Sequence, residues 1–359
     1  MNPTRHVTTL GQSLWLDNLS RSHIRDGVLA RLIAEDGISG VTSNPSIFEK
    51  AFASSPYYAD DLARLKATEP DAERRYEALA IPDVQAACDL LLPLHQASGG
   101  RDGYVSIEVA PRWAYDATHT VAEAQRLAGR VDRRNLLVKV PGTPEGLSAF
   151  EALTQHGINV NVTLLFSLEQ TQATFEAYLR GLAARVAAGG DVRHSKAVAS
   201  LFLSRVDTLV DKSLTAIGTQ EALSLRGRTA VAMAKLAYQR YLQLFHGAAF
   251  AELARAGAAP QFLLWASSGV KNPDYQDLLY VEPLIGRETI NTLPDKTLDA
   301  LREHGRPALR VEEGVAEAQA VFDELARLGI DLELVGHTLQ RDGVDLFETA
   351  YQKLLQQAG

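Results

Sequence analysis

Seven short apolar runs and a weaker eighth, each followed by helical periodicity, constrain this chain more than any other feature. The runs fall at residues 13–17, 38–42, 104–109, 136–140, 158–163, 196–201 and 262–266, and the weak one at 289–293. Apolar residues at helical spacing mark 22–35, 56–68, 71–79, 82–97, 118–131, 295–303, 315–327 and 343–357. The same spacing reaches about 156 after the fourth run and about 188 after the fifth, dominates 204–256, and suggests a short helix at 274–284. Parallel strands joined by helices cross over right-handedly. Eight such units close as an α/β fold of the (β/α)8 or TIM-barrel type, with its chemistry at the C-terminal strand ends. An open doubly wound sheet is the competitor, but no glycine-rich phosphate loop follows the first run.

Length fits this reading. The chain has 359 residues, enough for one large barrel with a helical insertion at about 46–102 and a C-terminal helical extension at about 305–359. No linker, repeat or low-complexity tract marks a domain boundary. A net charge of −8 without a basic tract argues against nucleic acid. It leaves room for an anionic ligand held by a few local donors. Neither an apolar leader nor a membrane-length segment is present, so a cytoplasmic protein is expected. The single cysteine, Cys88, lies in a helical apolar run and reads as inert core. No metal-ligand spacing occurs, so no metal is expected.

Side chains alternate across a strand, so each run can be read by parity. Trp15 and Asp17 share a face, as do Ser106 and Glu108, Leu137 and Lys139, and Val198 and Ser200. On the fifth run Asn159, Asn161 and Thr163 oppose three apolar residues. A barrel turns one face of every strand inward. It would gather Asp17, Asn44, Glu108, Lys139, Asn161, Thr163 and Ser200 around one cavity. Each has a bland reading as well. Asp17, Asn44 and Ser200 suit helix caps or turns, Glu108 suits an ion pair with Arg112, and Asn161 and Thr163 suit loop backbone groups. Unrelated caps would not all fall at strand ends facing one cavity.

Lys139 sits in an otherwise apolar run, which Pro141-Gly142 ends before a helix with Thr143 as its N-cap candidate. A lysine is seldom buried without a reason. Burial disfavours an ammonium, and a neutral amine is the form that attacks a carbonyl. A snorkelling lysine is the plainer alternative. Arg205 opens the helix after the sixth run, where a cation opposes the helix dipole and a bound phosphate would reverse that; pairing with Asp207 is the local alternative. Lys271 lies in a glycine-containing loop after the seventh run, a place where barrels often hold phosphate.

Six segments, in order, carry a family resemblance. They are Leu14-Trp-Leu-Asp-Asn-Leu-Ser20, Val41-Thr-Ser-Asn-Pro-Ser46, Val105-Ser-Ile-Glu-Val-Ala-Pro-Arg112, Leu137-Val-Lys-Val-Pro141, Asn161-Val-Thr-Leu-Leu-Phe-Ser167 and Ser200-Leu-Phe-Leu-Ser-Arg205. With Leu264-Trp-Ala-Ser-Ser-Gly-Val-Lys-Asn-Pro273, the chain resembles the transaldolase family in its longer bacterial form. The resemblance implies a cofactor-free Schiff-base transferase of the pentose phosphate pathway acting on sugar phosphates. Lys139 would form the Schiff base, Asp17 would move the proton of bond cleavage, and Glu108 would act through a water held with Thr163. Asn44, Asn161 and Ser200 would hold the dihydroxyacetone part, with Phe202 beside them, and Arg205 and Ser267 the phosphate. One position departs: shorter relatives carry arginine where Gly269 stands here, and Lys271 is the expected substitute. Fructose 6-phosphate aldolases are the alternative, but they tend to carry glutamine at Glu108 and tyrosine at Phe202. A non-catalytic sugar-phosphate-binding barrel is the other. The sequence leaves monomer and homodimer both open.

Overall fold

The computed structural model describes residues 2–359. Eight parallel strands close into a barrel in chain order. They are β1 Gln12–Leu16, β2 Ile38–Val41, β3 Tyr104–Glu108, β4 Leu136–Pro141, β5 Val160–Leu165, β6 Ala197–Phe202, β7 Phe262–Ala266 and β8 Thr289–Leu293. β1 pairs with β8 in continuous register, from Gln12 beside Thr289 to Leu16 beside Leu293. The barrel expected from the sequence is therefore the fold. β8 was weak in the sequence because it carries three polar residues, all of them buried. Thr289 accepts from Gln12 Nε2 at 2.9 Å, and Asn291 donates to the Tyr280 carbonyl at 3.0 Å. Those bonds offset the cost of burying them.

The barrel interior is packed by bulky side chains set against small ones. Trp15 is fully buried and its indole lies on Gly40 of β2. A Cβ at Gly40 would stand 2.4 Å from that ring, so only glycine admits the tryptophan. The register shifts between Leu14 and Trp15 at this point. Cys88 is buried in the helix Ala72–Ala97, and burial pushes its thiol up to about 12. Such a thiol stays protonated and inert, as its sequence context suggests.

Several helical expectations differ in detail. The spans 71–79 and 82–97 are one helix, Ala72–Ala97, which runs through Pro82. Proline at that place disturbs the carbonyls one turn back. Arg21 adds a donor beside the break: its Nη2 reaches the Leu79 carbonyl at 3.2 Å while Nε holds Asp83 at 2.9 Å. The span 22–35 breaks at Gly27, whose φ of 69° ends one helix, Arg21–Arg25, before Val28–Arg31 begins. The span 274–284 is not a helix but a series of turns closed by the 3-10 turn Glu282–Leu284. Its tyrosines are tethered elsewhere, Tyr275 to Asp211 at 2.6 Å and Tyr280 to Asp207 at 2.8 Å. Those two acids lie on the helix Ser204–Ile217.

The last helix, Leu332–Ala358, begins eleven residues earlier than its expected start at residue 343. Gly336 and Gly343 read as weak helix formers, but they serve close packing. Cβ atoms there would stand 2.6 Å from Ser167 Cβ and 3.0 Å from Leu164 Cδ2. Gln340 Nε2 donates to the carbonyls of Gly142 at 2.8 Å and Leu164 at 3.1 Å. The helix is thereby fastened across the C-terminal ends of β4 and β5. No helix among the described residues is long and apolar enough to cross a membrane.

Candidate active site

A cavity of about 210 Å³ opens at the C-terminal ends of the strands. Lys139 of β4 lies at its floor, 5% exposed. Its Nζ donates to the Ser43 carbonyl at 3.1 Å and stands 6.0 Å from the Phe347 ring centre. Phe347 comes from the C-terminal helix, so the far end of the chain roofs the amine. Beyond Pro141 the helix Pro144–Gln155 starts, with the Thr143 hydroxyl accepting from Gly146 N at 3.0 Å. That cap fixes the exit of the lysine strand as its sequence suggests.

Parallel register sets the neighbours. Glu108 of β3 and Asn161 of β5 stand beside Lys139 on either side. Burial pushes the Glu108 carboxyl up to about 7, against the pull of the Lys139 charge and with help from the Asp17 charge. Its Oε2 is buried without a protein partner, and so is Thr163 Oγ1. Arg112 does not reach Glu108; it binds Glu73 at 2.7 Å instead. The ion-pair reading of Glu108 is therefore excluded.

Asp17 follows directly on β1 and is partly buried. Burial raises its pKa, while the Lys139 charge and the Thr42 hydroxyl oppose the shift. Thr42 Oγ1 donates to Asp17 Oδ1 at 2.8 Å and lies 2.6 Å from Thr292 Oγ1. Asp17 caps no helix; the next helix is capped by Ser20. Two acids thus face one amine, and both hold their protons more firmly than free carboxylic acids do.

The polar residues under the cavity form one chain of bonds. Ser200 Oγ donates to Asn161 Oδ1 at 2.7 Å, and Asn161 Nδ2 donates to Ser106 Oγ at 3.2 Å. Asn44 caps the helix Pro45–Ser54 through Ile47 N at 3.1 Å and also lines the cavity. The cap and a place at the cavity are thus compatible in one residue. Phe202 closes one wall, 5.1 Å from the Phe166 ring.

Arg205, Ser267, Gly269 and Lys271 line the outer part. Asp207 turns away from Arg205: it accepts from Ala230 N and the Tyr280 hydroxyl. Arg205 packs over Phe202 at 5.6 Å, and its guanidinium has no carboxylate partner among the described residues. Burial lowers its pKa. Ser267 has a φ of 53°, costly for a residue with a Cβ. Two contacts to Ser204 hold it there, one from Ser204 N at 3.1 Å and one between the hydroxyls at 2.8 Å.

Thr42, Thr292 and Phe347 also line the cavity and were missed by sequence reasoning. Thr42 stands in a segment singled out for Asn44, and its inward parity was the available signal. Nothing local marks Phe347, because its place depends on a helix docking from the other end of the chain. Among the described residues, one carboxylate trio, Glu73, Glu77 and Glu123, gathers closely enough to suggest a cation. Arg112, Arg126 and Arg130 already neutralise it.

A buried amine, two proton-retaining acids and a free guanidinium in one barrel mouth are the groups a lysine-dependent enzyme would need to act on a carbonyl compound that bears an anionic group. The family model described as Transaldolase/Fructose-6-phosphate aldolase matches residues 14–358. A curated transaldolase from Thiobacillus denitrificans is 70% identical over the whole of both chains. Another from Neisseria gonorrhoeae is 49% identical over 97% of each. Transaldolase 1 of Streptomyces coelicolor is 47% identical over 96% of this chain and 91% of its own. The chain belongs to the transaldolase/fructose-6-phosphate aldolase family and is an enzyme of the transaldolase type.

Proposed function

We propose that the enzyme moves a dihydroxyacetone unit from sedoheptulose 7-phosphate to glyceraldehyde 3-phosphate through a Schiff base on Lys139. The products are erythrose 4-phosphate and fructose 6-phosphate, an exchange of the cytoplasmic pentose phosphate pathway. The whole chain works as one barrel domain, with the helical insertion and C-terminal extension placed as in the sequence analysis. The observation that carries this reading is the Lys139 amine beside Glu108 and Asp17, with a guanidinium lacking a counter-charge at the outer end of the same cavity.

The ketose carbonyl carbon bonds to Lys139 Nζ. Glu108, near neutrality in its titration, takes and gives the protons of carbinolamine formation and loss of water, through a water shared with Thr163. Two buried oxygens without protein partners suit that role. Asp17 then removes the proton of the hydroxyl next to the breaking bond. The carbon–carbon electron pair passes into the iminium, an aldose phosphate leaves, and an enamine remains. Asp17 returns its proton to the oxygen of the acceptor aldehyde as the new bond forms. Asn44, Asn161, Ser200 and Phe202 hold the three-carbon unit. Arg205, Ser267 and Lys271 hold the phosphate, and Lys271→Ala should weaken sugar-phosphate binding.

Borohydride trapping with fructose 6-phosphate, followed by peptide mass mapping, tests the reading. A reduced three-carbon adduct on Lys139 is expected. Its absence from folded protein would remove the mechanism. Dependence of erythrose 4-phosphate release on an added acceptor separates transfer from free aldol cleavage.

A further inference from the structure

A second cavity, of about 930 Å³, lies at the opposite end of the barrel. Tyr104 and Phe262, the first residues of β3 and β7, open onto it, as do Lys196 before β6 and Glu288 before β8. The end of a barrel away from the chemistry ordinarily serves stability. This one is unlike a structural plug in its charge.

Lys196 is only 3% exposed, and its Nζ stands 3.7 Å from the centre of the Phe262 ring. It has no hydrogen bond and no carboxylate within ion-pair distance among the described residues. Burial pushes its pKa down to about 8, despite the charges of Asp102 and Glu288. A ring face compensates an ammonium only in part, and a methionine would fill the same space without that cost. Around the rim stand Arg101, Arg134 and His194, exposed and without ion-pair partners, and Arg193, which Asp191 holds. Arg101 also lies over the Phe262 ring, at 6.0 Å. Glu288 is the lone carboxylate of the lining, and the Tyr241 hydroxyl and His246 already engage it at 2.8 and 2.7 Å. The protein carries a net charge of −8, so this concentration of positive charge runs against the whole.

We infer that this cavity is a binding site for a multivalent phosphate anion, separate from the active site at the other end of the barrel. The phosphate oxygens would meet Lys196 at the base, with Arg101 and Arg134 at the rim. Guanidinium and ammonium donors suit phosphate oxygens. The volume is that of a small-molecule pocket.

Isothermal titration of the full-length protein with inorganic pyrophosphate, and separately with ATP, tests the inference. An Arg205→Ala background removes the guanidinium from the phosphate donors proposed for the active site. One equivalent of either probe should still bind there, and more weakly as salt rises. Lys196→Met and Arg134→Ala, each added to that background, should weaken binding about tenfold to a hundredfold. Tighter binding of ATP would show that the cavity also receives a base, and equal affinity would assign the site to the phosphates alone; both support the site. No binding in the Arg205→Ala protein would overturn it, as would binding that neither substitution changes. Arg134 is exposed, so its variant keeps the test decisive if Lys196→Met does not fold.

Discussion

Replacing Glu108 with glutamine should make the protein more stable and the enzyme slower, and the stability gain should depend on pH. The side chain keeps its shape and loses its charge. The folded carboxyl titrates at about 7 and an ordinary one at 4.5. The folded state therefore holds this proton more tightly than the unfolded state. The stabilisation is complete below about pH 4.5, where both states are protonated, and is lost as pH rises through 7. At about 1.4 kcal/mol per pH unit, the raised titration of Glu108 costs the wild type about 1 kcal/mol at pH 5, where the folded state must keep a proton the unfolded state releases, and about 3 kcal/mol at pH 8. The attraction of Lys139 is already contained in that value. Glutamine escapes the cost. Its amide meets the same unpartnered surroundings at every pH, so that penalty does not alter the trend. Urea denaturation followed by tryptophan fluorescence at pH 5, 6, 7 and 8 measures the gap between variant and wild type. Turnover should fall about a hundredfold or more, as loss of a proton carrier requires. A gap that stays constant with pH, or a variant less stable at pH 8, would refute the reasoning. Glu108 would then be an ionised partner of Lys139.

Asp17→Asn should slow transfer by about 10²- to 10⁴-fold while borohydride still traps the adduct on Lys139; loss of trapping would move Asp17 to an earlier step. Arg205→Ala should raise KM for phosphorylated sugars about tenfold or more, with kcat changed less, and steady-state kinetics reads the two apart. Gly336→Ala places a methyl group 2.6 Å from Ser167 Cβ and should cost about 1–3 kcal/mol. Shifting the C-terminal helix in this way should also raise release of free dihydroxyacetone relative to transfer, and an unchanged ratio would show that the helix does not close the site.

Strand parity was the most legible layer of this sequence. Residues at 17, 108, 139, 161, 163 and 200 share the inward face because alternation in a strand is fixed by backbone geometry, whatever the surroundings. The bulges at Leu14/Trp15 and between Val162 and Leu165 do not disturb that placement. Helix limits were less legible, since distant partners set them. Pro82 should end a helix, yet Ala72–Ala97 runs through it, and Arg21 bonds the Leu79 carbonyl beside it from sixty residues away. Tyr275 and Tyr280 fit a helical pattern, yet Asp211 and Asp207 hold them in turns. In the site, the tie from Asp17 through Thr42 to Thr292 joins three strands, and no local pattern contains it. The cavity near Lys196 stayed hidden for the same reason: its cations come from separate loops.

Phe347 and Gln340 give the order of synthesis a consequence. The ribosome makes all eight strands before it makes these residues. When β8 is complete, the barrel can pair β1 with β8 and assemble its core while the closing helix is still inside the exit tunnel. At that moment Lys139 lies in an open bowl, and the Gly142 and Leu164 carbonyls still lack their Gln340 donor. A barrel at that stage has its amine and both acids in place, but neither the Phe347 ring near Lys139 nor the Gln340 tie across β4 and β5.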